Sequence, residues 1–207
     1  MDKFRGVHSG QTALLVGNGI NLNLTPPTAF NYPSFGMNTV YKYNGWTPDY
    51  YTAVDTRVMN EFGKEIAEKY AYIPKFIPRP NLDNWQGSNF YRFLHRPGAI
   101  VPLTDPARDG IAYSNVMTVA MQLAAYMGFT TLLMIGVYHD PNDGRGHFWG
   151  RDEGMPLQPP LNDWLEAYKQ IVDALFIRGV QVLNISVNTH VSESVLPRGN
   201  WQDWSNT

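Results

Sequence analysis

The sequence predicts a three-layer α/β sandwich built on a mainly parallel sheet, and three observations carry that expectation. An apolar run, Ala13-Leu-Leu-Val16, breaks into Gly17-Asn18-Gly19, as a buried strand does where it delivers the chain to a turn. A second apolar run over 131–137 follows a strongly apolar helical segment over 112–127. A last helix–strand pair, 161–178 and 180–185, has Gly179 between its members. Strands that alternate with helices pair in parallel and need cover on both faces. The 207 residues suffice for one such domain, expected to span 1–207.

Each element rests on a local pattern. After the strand at 13–16, the two glycines lack a Cβ and let another group approach the main chain closely; an ordinary tight turn has the same composition. Residues 22–33, rich in Asn, Thr and Pro, read as a loop or a short distorted helix. A second short strand is expected at 34–40, and a third at 49–54, where Asp-Tyr-Tyr-Thr-Ala-Val is β-branched and aromatic. Residues 55–70 are helical, with Val58, Phe62, Ile66 and Ala67 on one face. A strand over 71–77 is broken by Pro78 and Pro80. From 81 to 109 the periodicity fails, and a stretch that long is expected to be a functional loop, an irregular lid or an insertion. The helix over 112–127 ends at Gly128, and 131–137 is the most buried strand. A polar Gly/Pro-rich loop fills 138–160, and 161–178 is amphipathic, with Trp164, Leu165, Tyr168, Ile171, Val172 and Leu175 inward.

Composition removes several function classes. Sixteen basic against 18 acidic residues give a net charge of −2, and no basic run marks a nucleic-acid binder. Cysteine is absent, so there is no disulfide framework, thiolate zinc site or cysteine nucleophile. The polar first eleven residues carry no signal-peptide core, which fits a cytoplasmic protein. The longest apolar stretch, 116–137, is interrupted by Gln122, Gly128, Thr130 and Thr131 and reads as helix plus strand, not an integral membrane segment. Aromatic residues make up 14 % of the chain, many in loops where they could stack on a sugar or base. The sequence leaves homo-oligomer formation open.

In a parallel sheet, ligands collect outside the carboxyl ends of the strands. The residues that follow each expected strand are therefore candidates: Gly17, Asn18 and Gly19, then Asn38, Asp55, then Tyr138, His139 and Asp140, and finally Ser186 and Asn188. Most are short polar groups suited to ribose, base or sugar hydroxyls, and each also serves as a turn residue or cap. The loop 139–153 holds the densest set of ionisable groups. Its histidines, His139 and His147, match no standard zinc spacing, and Asp140, Asn142 and Asp143 lack the continuation of a calcium loop. His147, beside Phe148 and Trp149, is a candidate general base, because imidazole titrates near neutrality; a surface histidine bonded within its loop reads the same. Arg145 and Arg151 could neutralise a phosphate leaving group or lie solvated. His95, between Arg92 and Arg96, is a lesser candidate for phosphate, while His8 and His190 read as structural. No phosphate loop, serine nucleophile elbow or His-Glu-x-x-His motif is present.

Leu14-Leu-Val-Gly-Asn-Gly-Ile-Asn-Leu22 followed by Phe35-Gly-Met-Asn38 resembles the opening of the Campylobacter-type bacterial sialyltransferases. It is equally similar to the wider group called domain of unknown function 115, which includes archaeal hydroxymethylpterin diphosphokinases. Further matches are Pro48-Asp-Tyr-Tyr-Thr-Ala-Val-Asp55, the segment 114–127 and Leu132-Leu-Met-Ile-Gly136. The resemblance is faint over 81–109. It departs where Ile20-Asn21 replaces Pro-Ser and where Gly-Val-Tyr-His-Asp follows the strand at 131–135. This resemblance implies a Rossmann-like sandwich in which Gly17, Asn18, Gly19, Asn38, Asp55, Ser114 and Gly136 line a nucleotide site. It further implies His147 as catalytic base, with Tyr138 and Arg145 or Arg151 at the departing phosphate.

The function expected on these grounds is a glycosyltransferase of sialyltransferase type, moving a sugar from a nucleotide-sugar donor to a hydroxyl of a glycan or small-molecule acceptor. The resemblance implies no obligatory cofactor. Two alternatives differ in class. A pyrophosphokinase would need Mg²⁺, held by carboxylates such as Asp55 and Asp140. A non-catalytic binding module would grip a glycan through the aromatic residues of 81–96.

Overall fold

The computed structural model describes residues 1–79, 88–96, 105–140, 147–150 and 161–206. Their strands are β1 (Thr12–Val16), β2 (Ser34–Met37), β3 (Tyr50–Thr52), β4 (Lys75–Pro78), β5 (Phe90–Phe93), β6 (Thr131–Ile135) and β7 (Gln181–Asn184). They form a seven-stranded sheet in the order β5-β4-β3-β2-β1-β6-β7. Every pairing is parallel, with Leu14 opposite Ser34 on one side of β1 and Leu133 on the other. The helices are α1 (Thr56–Lys69), α2 (Val116–Tyr126) and α3 (Leu161–Phe176). This is a three-layer, Rossmann-like α/β fold.

The central strands are apolar on both faces because both faces are covered. Ala13 and Leu15 of β1 join Leu132 and Met134 of β6 beneath α2 and α3, in a core with Val119, Leu123, Tyr168 and Ile171. Leu14, Val16, Leu133 and Ile135 point the other way. There they meet short 3-10 turns and loops rather than a long helix, with Leu22, Phe30 and Val40 as partners and Trp201 and Trp204 at the margin. Helix α1 covers the neighbouring part of that layer, setting Val58, Met59, Ile66 and Tyr70 against Tyr51 and Ile77.

Several boundaries differ from expectation for identifiable reasons. The strand expected at 34–40 stops at Met37, because Asn38 adopts φ +47° and opens a 3-10 turn, Asn38–Lys42. The helix expected from 112 starts at Val116, where the extended Asn115 caps it by accepting the Thr118 N–H at 3.1 Å. Ser114 therefore precedes α2 rather than lying in it. The strand expected from 71 starts only at Lys75, and those expected at 49–54, 131–137 and 180–185 are each shorter than their apolar runs. The irregular stretch expected over 81–109 contains β5, paired along β4 from Lys75–Phe90 to Pro78–Phe93. The rest of the expected lid lies partly outside the described residues. Lys75 is fully buried; its ammonium donates to the carbonyls of Tyr70 (2.6 Å) and Ile73 (2.9 Å), closing the end of α1. Burial lowers its pKa to about 8.

Candidate functional site

The chain leaves β1 toward one side of the sheet and returns through β6 on the other, so the topological switch point lies between these strands. Here Gly17 and Gly19 face Gly136. The Gly17 N–H donates to Ile135 O at 2.9 Å and the Gly19 N–H to Gly136 O at 2.7 Å. A Cβ on Gly17 would lie 2.7 Å from Gly136 O, and one on Gly136 (φ +69°) would lie 2.5 Å from Gly17 O. The bare backbone that the sequence suggests for a ligand is thus used first by the two loops against each other.

Asn18 ties three loops together. Its Nδ2 donates to Met37 O (3.2 Å), and its own carbonyl accepts from the Phe148 N–H (3.0 Å). With the amide nitrogen committed, its Oδ1 is buried and has no partner among the described residues. Asn38, at the end of β2, repeats the situation: its main-chain carbonyl accepts from the Tyr51 hydroxyl at 2.6 Å, while its Oδ1 is buried and unpartnered. A buried unmet acceptor costs about 1–3 kcal/mol, so two of them outside adjacent strands require explanation. Asn21, which stands where the resemblance expects another residue, spends its Nδ2 on the fold, bridging Val137 O (3.0 Å) and Val187 O (2.8 Å), while its Oδ1 too is buried without a partner among the described residues.

Two further candidates sit at helix starts. Asp55 caps α1, its Oδ1 accepting the Arg57 N–H at 2.9 Å. Helix α2 runs back between parallel strands, so its N-terminus opens at their carboxyl edge. Exposed Ser114 precedes that terminus, beside the capping Asn115, whose Nδ2 is buried without a partner.

The loop after β6 alternates its contacts. Tyr138 and Asp140 face His190 from the loop after β7: the Tyr138 and His190 rings meet edge to face at 5.1 Å, and Asp140 Oδ2 lies 3.5 Å from His190 Nε2. The His190 N–H also donates to Tyr138 O at 3.0 Å. Between them His139, at φ +51°, turns its ring the other way, to hydrogen-bond the Tyr168 hydroxyl (3.0 Å) and pack beside Trp164. Burial holds the His139 imidazole neutral, with its pKa lowered to about 4. No sequence spacing links His190 to Asp140, and the structure brings them together.

His147 lies elsewhere in the same region. Its ring stacks on Trp149 (4.4 Å between centroids, planes 17° apart), and Lys42 Nζ lies 4.9 Å from the Trp149 ring. The 147–150 turn is fastened through Phe148 to the carbonyl of Asn18 and to the side chain of Asn23. Arg145 and Arg151 lie outside the described residues. His8 is bonded through both ring nitrogens, to Gln11 (2.9 Å) and Tyr50 (2.7 Å), on the opposite edge. His95 pairs its backbone with Ile111 and sets its ring 4.6 Å from Tyr113. Among the described residues, no three His, Asp or Glu side chains gather to hold a metal ion, and no helix is long and apolar enough to cross a membrane.

No protein-family profile and no curated protein matches the sequence. Solved structures do match the fold. One is the MAf glycosyltransferase from Magnetospirillum magneticum AMB-1, with a TM-score of 0.56 at 12 % identity over 96 % of this chain. The chain spans only 37 % of that protein's length. Another is the sialyltransferase CstII from Campylobacter jejuni, solved with the substrate analogue cytidine-5'-monophosphate; its TM-score is 0.53 at 9 % identity, over 91 % of this chain and 84 % of its own. The chain therefore shares its fold with structures of glycosyltransferases.

Proposed function

We propose that this chain binds a nucleotide-linked sugar at the β1/β6 switch point and transfers the sugar to a hydroxyl acceptor. The observation that carries this reading is the pair of unpartnered carbonyl oxygens, Asn18 Oδ1 and Asn38 Oδ1, at the carboxyl edge of β1 and β2. Both are acceptors, so they select donors: ribose or sugar hydroxyls, or the exocyclic amine of a base. The N-terminus of α2, with exposed Ser114 beside it, suits the phosphate, since the first N–H groups of a helix favour an anion. The glycosyltransferase folds of both neighbours, and the cytidine monophosphate in one of them, support the same class of ligand.

The test is thermal denaturation of the protein with CMP, CDP, UDP, GDP or ATP, each with and without Mg²⁺. A ligand that binds only the native state raises the midpoint by mass action. The expected result is a metal-independent shift with at least one pyrimidine or guanine nucleotide. A shift with ATP that requires Mg²⁺ would instead favour the pyrophosphokinase. Absence of any shift would leave a binding module without nucleotide affinity and overturn the proposal.

A further inference from the structure

We propose that the general base of the transfer is His190, oriented by Asp140, rather than the histidine of the 147–150 turn. The inference rests on the transferase reading above, but its geometry stands by itself. An imidazole serves as a base when one ring nitrogen is held by a carboxylate and the other is left free to take a proton. His190 has the arrangement these conditions ask for. Its Nε2 faces Asp140 Oδ2 at 3.5 Å, within ion-pair range, so a proton on Nε2 would point at the carboxylate, and no hydrogen bond to its Nδ1 is seen among the described residues. The side chain is 48 % exposed while Asp140 is 17 % exposed, so the imidazole is reachable and the carboxylate that would steady its charge is sheltered.

The surrounding backbone is shaped to hold this pair. Two left-handed residues that are not glycine, His139 (φ +51°) and Asn188 (φ +52°), flank it in the loops after β6 and β7. Such conformations cost about 1–3 kcal/mol and persist only where neighbours enforce them. At His139 the enforcement is visible: its ring is anchored to Tyr168, and the turn at that residue swings both Tyr138 and Asp140 toward His190. Tyr138, whose Cβ lies 2.7 Å from where a Cβ on Gly19 would sit, places this group beside the proposed nucleotide site. The His147 ring, by contrast, lies flat on Trp149.

The step balances without a co-reactant. The acceptor hydroxyl gives its proton to His190 Nδ1 as its oxygen bonds the anomeric carbon. The bond from that carbon to the phosphate oxygen breaks, and the nucleotide leaves with the electron pair. Asp140 stabilises the imidazolium and stays ionised.

The experiment compares wild type with His190→Ala, His190→Gln, Asp140→Asn and His147→Ala. CMP-, UDP- and GDP-linked sugars are the probes, and release of free nucleotide, with water or an added sugar as acceptor, is the readout. The expected result is a loss of roughly a hundredfold or more in both His190 variants, with the nucleotide-induced thermal shift retained. Asp140→Asn should lose at least roughly tenfold. Long-range ¹H–¹⁵N spectra should show the Nε2–H tautomer at His190 in the wild type and a mixture in Asp140→Asn, a change that an ordinary packing role would not produce. Release within roughly threefold of wild type in the His190 variants, or loss only in His147→Ala, would overturn the assignment while leaving the transferase reading intact. A wild type that neither binds nor turns over any probe would overturn both.

Discussion

The two edges of the sheet solve opposite problems with similar residues. At the amino edge, two polar side chains are consumed by the fold: both nitrogens of His8 are bonded, and the buried Lys75 ammonium meets two carbonyls. The N-terminal segment is laced to the end of α2 by main-chain bonds from Gly6, His8 and Gly10. At the carboxyl edge, Asn18 and Asn38 keep buried oxygens unmet. Three of the four left-handed non-glycine residues among those described, Asn38, His139 and Asn188, follow strand ends there. Left-handed residues and unmet acceptors at the carboxyl edge are what the proposed site would use, whereas His8, Lys75 and the N-terminal main chain are spent on holding the other edge together.

The contrast can be broken most severely at the crossing of the two loops. Gly136→Ala forces a Cβ to within 2.5 Å of Gly17 O at φ +69°. It should cost about 3–5 kcal/mol, lowering the thermal midpoint by about 10 °C. Gly10→Ala at the amino edge shares a positive φ, +78°, but meets nothing within 4 Å. Its expected cost is about 1 kcal/mol, and equal losses in urea denaturation would sink the argument from close approach.

His139 sharpens the comparison through pH. Its pKa falls from an unfolded value of about 6.5 to about 4 because burial disfavours the cation, so the unfolded chain binds the proton more readily between those values. The stability this residue contributes is complete above pH 6.5 and is lost as pH falls from 6.5 toward 4, by on the order of 3 kcal/mol. His139→Asn, which tolerates the left-handed turn, should flatten the midpoint across that window. A slope that survives unchanged would place the acid sensitivity elsewhere.

Asn38→Gly should have the smallest effect on stability. It removes an unmet acceptor and relieves a positive φ, so the unliganded protein should change by less than about 1 kcal/mol. The nucleotide-induced shift should nevertheless shrink. A full-sized shift in this variant would remove Asn38 from the site.

What the sequence disclosed and what it withheld divide along the same physical line. The runs that form β1 and β6 are legible because burial on both faces leaves no polar residue to confuse them, and α3 because one of its faces repeats at helical spacing. Strand β5 escapes notice: it is four residues long, carries Arg92 in its middle and lies between Pro80 and Pro97 on the sheet's edge. In the site, the Gly-x-Gly break locates the switch point, but not that Gly136 is what the glycines accommodate. His190 is hidden because its partner is far away in sequence and only the pairing of β6 with β7 brings their loops together. The one local signal is its position six residues beyond the end of β7, just past Ser186 and Asn188.

The strand order also bears on how the molecule comes into being. Strands β2 to β5 all add on one side of β1, and the other side of β1 is satisfied only when β6 arrives, late in synthesis and at large sequence separation. Until then β1 presents an open, apolar edge, the kind that invites pairing with another chain. The switch-point crevice does not exist in that half-finished sheet. A ligand of that crevice can therefore hold β6 in place only after it has paired, and gives the nascent chain no shelter while the edge of β1 is still open.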